Sequence, residues 1–159
     1  MEAREFCRWL SERSGQRIEL PTEAQRERAA RGDDGRKYPW GGEVPDWTRA
    51  HYGKSLDDGP LPVGSLPAGR GPYGHLDLAG NVWEWCRDAW NKHAYVTRGE
   101  LTVDPGLGEE DSHPSEARAC RGGALVSEPS ELRSAFRGGH AGVRVLSLGF
   151  RVAALPASR

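Results

Sequence analysis

The sequence predicts a mixed α+β fold with two helices, short antiparallel strands and long irregular loops, and three observations carry that expectation. The 21 glycines and 11 prolines together make 32 of the 159 residues, about a fifth, against a usual combined share of roughly 12%. Isoleucine occurs once, at Ile18, while tryptophan occurs six times, so an aromatic core stands in for an aliphatic one. Only two segments carry both a helical period and a stop signal, which excludes a helical bundle and a parallel α/β sheet. The length fits a single domain spanning 1–159 and suffices to bury roughly 70% of the unfolded surface. Six Trp, four Tyr and three Phe argue against a disordered chain.

Residues 2–14 read as the first helix: Ala3, Phe6, Cys7 and Leu10 recur at three-to-four spacing, and Gly15 ends it. Thr22 caps the second helix, Gln25 completes a T-x-x-Q capping box, and Gly32 lies past its end. From Asp33 to Gly74 the chain is rich in Gly, Pro and Asp, yet Tyr38, Trp40, Trp47 and Tyr52 punctuate it, so it reads as a packed irregular loop. Asp33-Asp34-Gly35 and Asp57-Asp58-Gly59 are turns, not catalytic carboxylate pairs. Residues 81–86 have strand content, with Trp83 and Trp85 in the core, and Trp40, Trp47 and Trp90 pin loops. Residues 99–117 are acidic and exposed. Short strands follow at 118–125, 132–137 and 148–153, with Leu148 and Phe150 in the core. Arg121, Arg133, Arg137 and Arg151 donate to backbone carbonyls that few ladders satisfy.

With 22 basic and 23 acidic residues the net charge is −1, so bulk electrostatics predict no nucleic-acid partner. No apolar run approaches the ~20 residues of a membrane span and no leader pattern opens the chain, so the expectation is a monomer without membrane partners, cytoplasmic by default. Cys7, Cys86 and Cys120 lack CxxC spacing and read as small buried hydrophobes.

Several blocks occur in order: Phe6-Cys7-Arg8-Trp9-Leu10, Leu20-Pro21-Thr22-Glu23-Ala24, Ala29-Ala30-Arg31-Gly32, Tyr38-Pro39-Trp40-Gly41, Leu78-Ala79-Gly80-Asn81-Val82-Trp83-Glu84-Trp85, Arg121-Gly122-Gly123, Leu132-Arg133-Ser134-Ala135-Phe136-Arg137 and Gly149-Phe150-Arg151. This series resembles the formylglycine-generating enzyme (sulfatase-modifying factor) domain, over about residues 3–153. The resemblance implies a C-type-lectin-like fold. Domains of that kind usually begin with strands and loops ahead of the first helix, so the chain is expected to be the C-terminal part of a longer protein, with a minimal version of the fold as the alternative.

In the oxygen-dependent enzymes of that family a copper-binding cysteine pair lies between the Arg-Gly-Gly and Arg-Ser-Ala blocks, where soft thiolates suit Cu(I). Here that interval reads Ala-Leu-Val-Ser-Glu-Pro-Ser-Glu over 124–131, without cysteine, so no copper is predicted and the reading leans away from an enzyme. Iron-dependent relatives use histidines, but His51, His75, His93, His113 and His140 show no metal-binding helical spacing. The domain is also similar to the variable proteins of diversity-generating retroelements, whose C-terminal stretch is diversified at adenines into codons that exclude Lys, Glu, Gln, Met and Trp. None of these five types occurs from Phe136 to Ser147.

The resemblance therefore implies a module that binds a protein or other macromolecular ligand through a diversified surface. The expected ligand-binding residues are Ala124, Leu125, Val126, Ser127, Phe136, Gly138, Gly139, His140, Val143, Val145, Leu146 and Ser147. Val143, Val145 and Leu146 either form an apolar ligand patch beside flexible glycines or belong to a buried strand. The alternatives are a sulfatase-modifying or related metal-dependent oxidase, and a non-catalytic relative of it. Calcium is the one cofactor the resemblance suggests: Asp77 and Glu84 would give carboxylate ligands, Gly80 and Val82 backbone carbonyls. The alternative for Glu84 is a buried ion pair with Arg151 or Arg133.

Overall fold

The computed structural model describes residues 2–93, 95, 117–141 and 144–156. Helix α1 spans Glu2–Ser14 and buries only a narrow strip, Cys7 with Ala3 and Leu10, against Ile18, Leu20 and Trp85. Phe6, the remaining apolar group of its sequence period, stands on the surface, as does Trp9. Strand β1 (Ile18–Glu19) is tied back to α1 by Ser11, whose Oγ accepts from Ile18 N at 2.9 Å and donates to Cys7 O at 2.8 Å. Helix α2 spans Glu23–Arg31 and carries the expected capping box: Gln25 N donates to Thr22 Oγ1 at 3.1 Å and Thr22 N to Gln25 Oε1 at 2.9 Å.

A four-stranded sheet holds the rest together in the order β4-β3-β2-β5, from β2 (Trp83–Ala89), β3 (Arg118–Arg121), β4 (Gly138–His140) and β5 (Leu148–Phe150). The β2–β3 and β3–β4 pairs are antiparallel, whereas β5 runs parallel to β2 and forms one edge. A separate ribbon pairs β1 with β6 (Ala153–Ala154). The long segment after α2 packs Tyr38 and Ala50 against Ala79 and Leu132, with Trp40 stacked on Tyr38 at 5.2 Å.

The strand expected at 118–125 ends at Arg121, because Gly122 and Gly123 take positive φ angles of 101° and 73° and turn the chain away. No strand forms at 132–137. That segment is irregular: Ser134 N donates to Lys37 O, while the carbonyls of Ser134 and Phe136 accept from Arg121 Nη1. The strand expected at 148–153 splits, with β5 closing at Phe150 and Ala153–Ala154 joining the other ribbon. Phe150 is not core: it is 39% exposed, covered on one side by Phe6. Trp47 lies 67% exposed beneath the Lys54 ammonium. The acidic stretch at 99–117 falls outside the described residues except for Ala117. Among the described residues no helix is long and apolar enough to cross a membrane.

Candidate functional site

The centre of the molecule is ionic. Helix α2 has no apolar stripe beyond its alanines, and its inward face carries Glu23 and Arg26, both fully buried. Arg26 Nε donates to Glu84 Oε2 at 2.6 Å. The same carboxylate accepts from Arg151, Nε to Oε2 at 2.7 Å and Nη2 to Oε1 at 2.5 Å. Burial alone would raise the Glu84 pKa, but the Arg26 and Arg151 guanidiniums outweigh it and hold the carboxyl below its usual range. Beside this, Glu23 pairs with Arg137 and Arg121, and Arg121 also reaches Glu27 Oε2 at 2.7 Å. Arg121 Nε lies 2.9 Å from Glu23 Oε1 at an angle that gives an ion pair without a hydrogen bond. Asp88 Oδ2 accepts from Glu23 N at 2.7 Å; burial, with the Glu23 carboxylate adding to it, raises its pKa. Glu84 therefore takes the ion-pair alternative, with Arg151 and Arg26 as its partners and not Arg133. A calcium ion using Glu84 would have to displace two guanidiniums.

Asp77, the other carboxylate of the suggested calcium turn, has a structural partner as well. Asp77 and Asn81 hold left-handed φ angles of 55° and 67°, an uncommon state for residues with a side chain. Asp77 Oδ2 accepts from Gly64 N at 2.7 Å, and the Asn81 amide bonds both backbone groups of Leu61. Gly80 sits at φ 77° with its Cα against His51, where a Cβ would lie 2.6 Å from the His51 carbonyl oxygen. Val82 lines a cavity with Val63 and Leu76, and its Cγ2 lies against Gly149. Among the described residues no three His, Cys, Asp or Glu side chains cluster as a metal site.

The expected ligand-binding residues separate into two groups. Ala124, Leu125 and Ser127 are buried, and their turn is closed internally: Ala124 N donates to Ser127 Oγ at 3.0 Å, and Lys54 N donates to Leu125 O at 2.8 Å. Only Val126 of that run reaches the surface. Gly138 is half-buried and Gly139 exposed in β4, and neither has room for a side chain. A Cβ at Gly138 would lie 2.9 Å from Cys120 Sγ, and one at Gly139 would enter the Trp90 indole. Phe136 rests on Trp83, and His140 sits edge-on to Trp85 at 6.0 Å. Ser147 O accepts from Trp83 N and anchors β5.

Val145 and Leu146 are exposed at 40% and 69%, so the buried-strand alternative does not hold for them; Val143 lies outside the described residues. The neighbouring Arg144 pairs with Glu2 at the start of α1, and Phe6 joins Trp9 to Phe150 with ring centroids 5.5 Å apart on each side. Arg144 thus ties loop 144–147 to the start of α1, and α1 meets β5 through an exposed aromatic cluster of Phe6, Trp9 and Phe150. The cluster was not legible in the sequence because Phe6 falls in the apolar period of the helix and so looks like core.

The three thiols are buried and free of disulfides. Burial pushes Cys120 up to about 12 and Cys86 further still, and it raises Cys7, so none is a ready thiolate.

The family described as "Sulfatase-modifying factor enzyme 1-like domain" matches residues 1–155. The chain belongs to this family. It is 33% identical over 139 residues to a formylglycine-generating enzyme of Thermomonospora curvata, covering 79% of this chain and 42% of that one. Among solved structures, PvdO from Pseudomonas aeruginosa superposes with a TM-score of 0.76 at 29% identity, over 94% of this chain and 57% of PvdO. Treponema denticola variable protein 1 superposes with a TM-score of 0.63 at 28% identity, over 89% and 49%. The sulfatase-modifying-factor fold is thereby established, and the chain spans about half the length of these relatives.

Proposed function

We propose that this chain is a binding module that presents an apolar face to a protein ligand on a sulfatase-modifying-factor scaffold, in the manner of a diversified variable protein. The observation that carries the reading is the exposed aromatic cluster of Phe6, Trp9 and Phe150, with Val145 and Leu146 also exposed in the loop ahead of β5, since large apolar side chains left on a surface mark an interaction site. Two further facts support it. The interval 124–131 has no thiol where the oxidase relatives bind copper, and the cysteines present are buried with raised pKa values. Similarity to the Treponema denticola variable protein supports the diversified form of the reading.

The diversified form has a genomic test. A neighbouring reverse transcriptase should accompany a repeat of this coding sequence with adenines substituted. The substitutions should fall on codons for exposed residues such as Val145 and Leu146 and spare those for the buried Ala124 and Leu125. A repeat with substitutions concentrated at the buried positions counts against it.

A second reading, a sulfatase-modifying oxidase, is favoured by the 33% identity to the formylglycine-generating enzyme. Incubation with Cu(I), oxygen and a cysteine-bearing sulfatase-type peptide, followed by mass spectrometry, separates the two. An unchanged peptide is expected, and formylglycine product overturns the binding-module reading.

A further inference from the structure

We propose that residues 76–84 form a cation-binding turn whose cation the chain itself supplies: the Arg151 guanidinium is the resident cation of an oxygen cage, and the turn is held without calcium. The inference stands independently of the binding-module reading.

The cage is built from one turn and one strand. Arg151 Nη2 donates to Glu84 Oε1 at 2.5 Å, to Asp77 O at 3.0 Å and to Leu76 O at 3.2 Å, while its Nε donates to Glu84 Oε2 at 2.7 Å. From the other side Arg26 Nε reaches Glu84 Oε2 at 2.6 Å, and Arg26 Nη2 donates to Leu78 O at 3.0 Å. The carbonyls of three consecutive residues and one carboxylate thus converge on two guanidiniums. Carboxylate and carbonyl oxygens gathered from a tight turn are what a hard cation takes. Three successive carbonyls can face one centre only where the backbone turns sharply, and Asp77, at a left-handed φ of 55°, sits in the middle of the three.

The four suggested calcium ligands do come together. Asp77, Gly80, Val82 and Glu84 line one cavity of about 230 Å³, but Arg151 lines it with them. Two carboxylates, Glu84 and Asp77, meet two guanidiniums, Arg26 and Arg151, so the charges balance as they stand. A calcium ion would add two positive charges beside the buried Glu84, with no further carboxylate in the cavity lining to meet them. Calcium therefore does not fit. Burial works against the charge of Arg151, but the Glu84 carboxylate, with Asp77 adding to it, outweighs burial and raises its pKa. The planar fork also engages both Glu84 oxygens at once, which a compact ammonium does not. Without Arg151 the cage would carry one negative charge in excess, a match for one monovalent cation of the same shape.

The test is chemical rescue in the full 159-residue chain. Arg151→Ala should lower Tm by roughly 3–12 °C, the loss expected for the charge-assisted bonds of one side chain. Millimolar methylguanidinium should recover at least half of that loss along a saturating curve, as a ligand bound only by the folded state does. It should stabilise neither wild type nor Arg151→Lys, where a side-chain cation remains, nor Gly139→Ala, whose defect lies elsewhere. Wild type should melt at the same temperature in millimolar calcium as in EDTA. If Arg151→Ala is unfolded in buffer, methylguanidinium should restore its near-ultraviolet dichroism. The proposal is overturned if methylguanidinium leaves Arg151→Ala unchanged, or if it stabilises Gly139→Ala equally. It is overturned in favour of a metal site if calcium stabilises wild type, or if calcium restores Arg151→Ala better than methylguanidinium does.

Discussion

Replacing Glu84 with glutamine changes one oxygen to an amide and leaves the side-chain volume intact, so its effect isolates a charge. Arg26 and Arg151 would remain in place, because Arg26 Nη2 also donates to Leu78 O at 3.0 Å and Arg151 Nη2 to the carbonyls of Leu76 and Asp77. What disappears is the counter-charge of two largely buried cations. Breaking a buried ion pair by removing one partner costs about 3–5 kcal/mol. Arg151 keeps a quarter of its side chain in water, which places the expected loss near the lower end, about 3 kcal/mol. For a chain of this size that lowers Tm by roughly 6–12 °C. Urea titrations at pH 7 should show the midpoint falling with an unchanged slope. The Glu84 pKa is depressed in the folded state, so its contribution is present above the ordinary carboxylate pKa of about 4.3 and is lost as pH falls through the lower folded value. The gap between wild type and Glu84→Gln should accordingly narrow in acid. A loss under about 1 kcal/mol, or a gap that persists unchanged at pH 3, refutes the ion-pair assignment. Calcium provides an independent check: a wild-type Tm that rises with millimolar calcium, and fails to rise in Glu84→Gln, would make Glu84 a metal ligand instead.

Asp88→Asn keeps an acceptor for Glu23 N and removes a charge that burial disfavours, so stability at pH 7 should hold or rise. Because the Asp88 pKa is raised, the folded state takes up its proton first, and the advantage of the asparagine variant should vanish as pH falls below that value. Gly139→Ala places a methyl group in the Trp90 ring and should cost about 1–3 kcal/mol; a neutral result in thermal melts would return Gly139 to the flexible ligand loop. Val145→Asp/Leu146→Asp should leave stability within about 0.5 kcal/mol in thermal melts, whereas a large loss in Tm would make these residues core. Iodoacetamide at pH 8 should label none of the three cysteines in the native protein and all of them in guanidinium, read by intact-mass spectrometry.

The helices were legible because their signals are local. Thr22 and Gln25 form the box that their spacing announces, and Gly15 and Gly32 end the helices. The 132–137 strand was misread because Leu132 and Phe136 supply β-like apolar content, while the decisive partner, the Arg121 guanidinium, is more than ten residues away. The ion-pair hub was only half visible. The Arg151–Glu84 pair was open as an alternative, but Glu23 and Arg26 have the composition of a solvated helix face, and only the sheet packed above them makes that face internal. The sole sequence hint is that α2 has nothing larger than alanine to bury. Burial of 124–127 was hidden for a related reason: the run follows the Arg-Gly-Gly block, yet bonds to the 50s loop fold three of its four residues inside, while Phe6 and Trp9 are left exposed.

The parallel pairing of β2 with β5 has a kinetic consequence. Trp83 and Leu148 are neighbours in the ladder although 64 residues separate them in sequence, and all of β3 and β4 lies in between. The ladder cannot form until that excursion has closed, and loop closure must be met before its contacts give any return. Refolding should therefore be slow, on the order of milliseconds to seconds, with the helical signal of α1 and α2 recovering before the near-ultraviolet signal of Trp83 and Trp85. The β2–β5 ladder would be the last part of the sheet to form, so the finished sheet reports on the whole excursion having closed.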